Sequence, residues 1–217
     1  MKLLLTSSGL TNTSIEKALF ELVGKKPEDT SLVFVPTASN VEVGDKGWLI
    51  DDLSNLKKQN FKSISITDIS AVPEDIWRPQ IEEADVLLFE GGNTYHLMRW
   101  INKSGFANIL PELLKTKVYV GISAGSMVTG PDLALRLSQI IYGDDVEEEN
   151  MDGLNLVDFY ILPHLNSPYF PERMAEKAKE VAQTLPKKIY ALDDQSALKI
   201  VDGKVEVISE GKYREFN

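Results

Sequence analysis

The segment KVYVGISAGSMVTG (residues 117–130) decides the fold. It passes from an apolar, β-branched run directly into Gly121-Ile122-Ser123-Ala124-Gly125. A plain turn needs one glycine or an Asn-Gly pair. Gly-x-Ser-x-Gly after a strand has a more particular use: it builds a sharp strand-to-helix elbow that presents the serine hydroxyl at the sheet's edge. The small residues of AGSMVTGP (124–131) permit close packing where the helix starts. Ser123 is therefore a candidate nucleophile, with a purely structural turn as the alternative.

Working outward from the elbow, short apolar runs alternate with helical patterns. KLLLTSS (2–8), SLVFVPTAS (31–39), FKSISITDI (61–69), ADVLLFEGG (84–92) and KVYVGIS (117–123) read as strands, with DFYILPHL (158–165) and KKIYALDD (187–194) as two more. Their nearly continuous Val, Ile, Leu and Phe suit parallel strands buried on both faces. Residues 13–24, 47–60, 93–105 and 171–185 carry helical spacing. The first opens on Thr and Ser caps and ends on Gly24; in the last, Pro171 suits a first helical position. The pattern predicts an α/β fold, a mainly parallel sheet covered by helices on both faces. Asp202-Gly203, between two β-rich runs (197–209), predicts a C-terminal β-hairpin at an antiparallel edge. We expect one domain over residues 1–217.

The chain has 217 residues, 33 acidic and 23 basic, for a formal charge of −10. That balance argues against a nucleic-acid backbone as the main partner. With no cysteine, disulfides, thiolate zinc sites and a cysteine nucleophile are excluded. The opening MKLLLTSSGL is too short in apolar residues for a signal peptide, and no run approaches the length of a spanning helix. These features predict a cytoplasmic protein without a membrane partner.

A serine nucleophile needs a base, and the base needs orienting. The chain offers two histidines, His96 and His164. His96 falls inside a helical pattern beside Leu97 and Met98 and reads as a packed helical residue. His164 follows Pro163, which disfavours helix before it. That puts His164 at a strand end or in the next loop, where sites of open α/β sheets gather. Gly91-Gly92 ends another strand, and Asn93-Thr94 can cap the helix beyond it. Backbone N–H groups there suit a phosphate, an oxyanion hole made by Gly92 and Ala124, or a plain βα turn. The acid stays open between Ser123 and His164, among Asp132, Asp144, Asp145, Glu147, Glu148, Glu149, Asp152 and Asp158.

Taken together, FEGGNT, GISAGSM and ILPHLN, in this order and spacing, resemble the peptidase E (α-aspartyl dipeptidase) family of serine peptidases, over most of the chain. The resemblance implies a fold like class I glutamine amidotransferases, with serine in place of cysteine. It implies Ser123 as nucleophile, His164 as its histidine, Gly92 and Ala124 as oxyanion donors, and hydrolysis of small peptides, above all dipeptides beginning with aspartate. The family's aspartate lies about fifteen residues after the serine, where this chain has Ser138; a small insertion brings Asp144 or Asp145 into register. Asn93 and Arg173, nine residues past His164, are candidates for substrate binding. The segment after His164 is shorter than in aspartyl dipeptidases, which weakens the case for aspartate. No metal or organic cofactor is expected. The alternatives are a cyanophycinase-like isopeptidase and a non-catalytic small-molecule-binding homologue; a broader esterase or amidase fits the length and the early Gly-Gly-Asn-Thr less well.

Overall fold

A computed structural model describes residues 1–133, 151–171 and 175–216. Its elements are β1 (Lys2–Thr6), α1 (Thr13–Val23), β2 (Ser31–Val35), α2 (Thr37–Asn40), α3 (Gly47–Lys58), β3 (Ser63–Ile66), α4 (Glu74–Glu83), β4 (Val86–Phe89), α5 (Thr94–Lys103), α6 (Phe106–Leu113), β5 (Val118–Ile122) and α7 (Ala124–Met127). Beyond these come β6 (Tyr160–Leu162), α8 (Ala175–Ala182), β7 (Ile189–Leu192), β8 (Ser196–Val201), β9 (Lys204–Ser209) and β10 (Tyr213–Phe216).

Seven strands form the main sheet in the order β3-β2-β4-β5-β1-β8-β9. The first five are parallel, and β8 and β9 add an antiparallel edge. Alternate side chains of each central strand enter opposite cores, because successive residues point to opposite faces. Leu3, Leu5, Val33, Val35, Leu87, Phe89 and Tyr119 pack on one side. Leu4, Leu32, Phe34, Val86, Leu88, Val118 and Val120 pack on the other. This two-sided burial is what the unbroken apolar runs required. The turn of the β8–β9 hairpin is Asp202-Gly203, with φ of 48° and 82°. Both central residues have positive φ, as the Asp-Gly pair predicts.

The structure departs from the sequence reading in four places. The run 31–39 ends its strand at Val35, and Pro36 leads into the short α2. α4 and α6 carry Pro79 and Pro111 in their interiors, which hides them from a reading that treats proline as a breaker. β6 and β7 do not join the main sheet; with β10 they form a second, three-stranded sheet in the order β10-β7-β6. Its own small core joins Tyr160, Leu162, Leu165, Ile189 and Ala191 to Ala178 and Val181 of α8. At α1 the capping side chain is that of Asn12, which accepts the Ile15 N–H at 3.1 Å, rather than the Thr or Ser after it. Among the described residues, no helix is long and apolar enough to cross a membrane.

Candidate active site

The elbow is built by sterics. A Cβ on Gly121 would sit 2.5 Å from the Ser126 nitrogen, and one on Gly125 would collide with the Phe89 carbonyl oxygen. Both glycines are thus required by the approach of α7 to β4 and β5. Ser123 between them adopts φ 47° and ψ −105°, outside the comfortable regions for an L-residue. Its N–H donates to the Thr6 carbonyl at 3.1 Å. The Ser126 hydroxyl donates to the same carbonyl at 2.8 Å, and the Tyr119 phenol donates to the Gly125 carbonyl at 2.7 Å. These bonds hold the strained turn against β1 and β5.

Ser123 Oγ faces His164 Nε2 at 3.1 Å. On the far side of the ring, His164 Nδ1 lies 2.6 Å from Asp194 Oδ1. A carboxylate there is an acceptor only, so Nδ1 carries the proton and Nε2 is left to accept from the serine. The small sheet produces this pairing. β6 and β7 are parallel neighbours, so the residues just past their carboxyl ends, His164 and Asp194, emerge side by side. The Leu165 N–H donates to the Leu192 carbonyl at 2.9 Å and fixes that alignment. Ser7, just past β1, ties the small sheet to the large one. Its hydroxyl accepts the His164 N–H at 2.7 Å and donates to Asp194 Oδ1 at 3.1 Å. Phe170 stacks on the imidazole, with ring centroids 4.6 Å apart. Burial works to raise the Asp194 carboxyl, but the hydrogen bond and charge of His164 and the Ser7 hydroxyl outweigh it and hold the group below its ordinary value.

The acid beside His164 therefore differs from the expectation. Asp144 and Asp145 lie outside the described residues, and the Nδ1 position is taken by Asp194. Asp132 instead accepts the Tyr160 phenol at 2.8 Å, and Asp158 pairs with Lys187 at 2.6 Å. Sequence reasoning missed Asp194 and Ser7 because it searched for the acid between serine and histidine. The available signal was that KKIYALDD ends a strand on two aspartates; the first, Asp193, is occupied by the Gln195 N–H and the Ser196 hydroxyl.

The structure brings the other glycine motif to the same place. Gly91 follows β4, and a Cβ there would lie 3.2 Å from the Ser123 Cβ. Gly92 has φ 123°, and a Cβ on it would meet the Ala38 carbonyl oxygen at 2.5 Å. The Gly92 and Ala124 N–H groups have no acceptor among the described residues. Asn93 lines the cleft, but its side-chain oxygen accepts the His96 N–H at 2.8 Å and caps α5. His96 packs near Trp100, with centroids 6.3 Å apart, and is absent from the cleft lining among the described residues. Arg173 lies outside the described residues. The cleft over Ser123 has a volume of about 1720 Å³. Ser123, His164, Asp194, Gly91 and Gly92 line it, with Trp48, Tyr169 and Phe170 among the aromatic residues of its wall.

The sequence profile of peptidase family S51 matches residues 3–208. An uncharacterized peptidase of Pasteurella multocida is 27% identical over 186 residues, 83% of this chain and 86% of that protein. A peptidase E of Shewanella denitrificans is 26% identical over 227 residues, 98% of this chain and 92% of that one. A crystal structure from Listeria monocytogenes, provisionally described as a peptidase E, superposes with a TM-score of 0.78 at 26% identity, covering 97% of this chain and 98% of that one.

Proposed function

Because the chain belongs to peptidase family S51, we propose that it hydrolyses short peptides with Ser123 as nucleophile, His164 as general base and Asp194 as the orienting acid. The continuous line Ser123 Oγ, His164 Nε2, His164 Nδ1, Asp194 Oδ1, with spacings of 3.1 and 2.6 Å, carries this reading. Ser123 Oγ attacks the scissile carbonyl carbon as its proton passes to His164 Nε2. The imidazolium is stabilised by the ionised Asp194, which stays unprotonated. The Gly92 and Ala124 N–H groups hold the oxygen on which negative charge develops. Collapse of the tetrahedral intermediate expels the amine, which takes the proton from His164. Water then repeats the sequence on the acyl-serine and releases the acid.

The reading covers peptides as a class and gives aspartate at the amino terminus no special place. Among the described residues, six carboxyl side chains (Glu42, Asp45, Asp51, Asp52, Glu90 and Asp194) and one lysine, Lys58, line the cleft. Such a wall disfavours an anionic side chain near the serine.

A fluorophosphonate probe tests the chemistry. It should label Ser123 covalently in the unmutated protein and leave Ser123→Ala unlabelled, and a dipeptide library should be turned over only by the former. Absence of labelling at Ser123 would favour a binding protein that retains the elbow without its reactivity.

A further inference from the structure

Glu90 is the last residue before Gly91-Gly92, and it is fully buried beside the cleft. Its Oε1 accepts the Gly91 N–H at 2.8 Å. Asp52, on α3, has 8% of its surface exposed, and its carboxyl lies against the Glu90 side chain. Gly9, at φ +75°, makes room for it; a Cβ there would lie 2.6 Å from Asp52 Oδ1. Two ionised carboxylates have acceptors only. Glu90 Oε2 is buried and accepts no hydrogen bond from any donor among the described residues. One proton between the two carboxyls supplies the missing donor.

We propose that Glu90 and Asp52 share a proton, and that this pair is a positioning device which holds Gly91 and Gly92 where the oxyanion forms. The role rests on the serine peptidase reading above. The pair acts through the backbone, by the bond from the Gly91 N–H to Glu90 Oε1. That bond fixes the Glu90–Gly91 peptide plane at the point where Gly91 lies against Ser123, one residue before the Gly92 N–H. A misplacement of about 1 Å in such a donor costs on the order of 100-fold in rate. The charged groups that bear on Asp52 besides its partner are Asp51 and Asp194. Both are acidic, so they favour retention of the proton. Burial pushes the Asp52 carboxyl up to about 7, and burial together with Asp52 pushes Glu90 well above its ordinary range. The two titrate as one unit.

Four proteins test this: unmutated, Glu90→Gln, Glu90→Met and the double variant Glu90→Gln with Asp52→Asn. Infrared spectra at pH 8 should show the carbonyl stretch of a buried protonated carboxyl in the unmutated protein and none in the double variant. Gln keeps an oxygen for the Gly91 N–H and an amide donor for Asp52. It should hold the fluorophosphonate labelling rate within about threefold, a difference worth under ~1 kcal/mol. Met keeps the volume and removes the acceptor, and should lower the maximal labelling rate on the order of 10- to 100-fold with little change in the half-saturating probe concentration. The double variant has a fixed N–H between the two side chains, so it should fold and label even if Glu90→Met does not fold. Absence of the carboxyl band overturns the shared proton. Equal labelling of all four proteins, or a double variant as slow as Glu90→Met, overturns the positioning role. If the unmutated protein itself does not label, the peptidase reading fails and the positioning role falls with it.

Discussion

Asp194 Oδ1 lies 2.6 Å from His164 Nδ1, although thirty residues separate them along the chain. Parallel pairing of β6 with β7 makes that contact, and the same ring meets Ser123 from the other side at 3.1 Å. Asp194→Asn should therefore lower the turnover number on the order of 10²–10⁴-fold, since the amide favours the wrong tautomer. Asp132→Asn, whose carboxylate serves Tyr160, should keep most activity. Steady-state rates on one dipeptide decide this, and full activity in Asp194→Asn would return the search to other acids.

The electrostatics of Asp194 set a pH dependence. Its carboxyl is held below the ordinary value of 3.8 in the folded protein. A depressed carboxyl contributes stability that is present above the unfolded value and lost as pH falls through the folded one. The difference in melting temperature between the unmutated protein and Asp194→Asn should thus shrink as pH falls below about 4. Thermal melts across that range check the sign; a difference that grows on acidification would contradict it.

Ser7 is a second target. Its hydroxyl accepts the His164 N–H and donates to Asp194. Ser7→Ala leaves a partly buried N–H without an acceptor, a loss of about 1–3 kcal/mol in stability. Because the histidine loop is loosened, the turnover number should also fall, by roughly tenfold. Chemical denaturation and kinetics on the same preparation separate the two effects.

The elbow glycines make a steric prediction. Gly125→Ala drives a methyl into the Phe89 carbonyl and should cost more than ~3 kcal/mol, as overpacking against backbone does. Gly24 caps α1 at φ 73° with nothing within 4 Å of its missing Cβ. Gly24→Ala should lose only about 1 kcal/mol, the cost of the left-handed conformation. Similar losses in both variants would mean that α7 can move away from β4.

Charge on the cleft wall predicts specificity. Six carboxyl side chains, two of them sharing a proton, against one lysine among the described lining residues should leave Asp-Leu cleaved no faster than Asn-Leu, with Lys-Leu at least as fast as either. Raising the salt concentration should narrow the differences, because exposed charges are screened over about 8–10 Å. A preference of tenfold or more for Asp-Leu would restore the aspartyl reading.

What the sequence determined by itself is what covalent neighbours and strand periodicity control. The unbroken apolar runs specified a sheet buried on both faces, and Asp202-Gly203 specified its edge hairpin. Gly121, Ser123 and Gly125 specified the elbow, because the clashes that demand them arise within a few residues and one adjacent strand. Pro163 marked the strand end that carries His164. The tertiary structure decided the rest. That β6 and β7 leave the main sheet, pair with β10 and set His164 beside Asp194 depends on long-range strand pairing. That Ser7 reaches both, and Asp52 reaches Glu90, depends on packing between elements far apart in the chain. Carboxylates are frequent in this acidic sequence, with 33 in all, and a local pattern cannot tell which one faces an imidazole. Strand register can, because a parallel pair delivers the residues beyond its carboxyl ends to the same point in space.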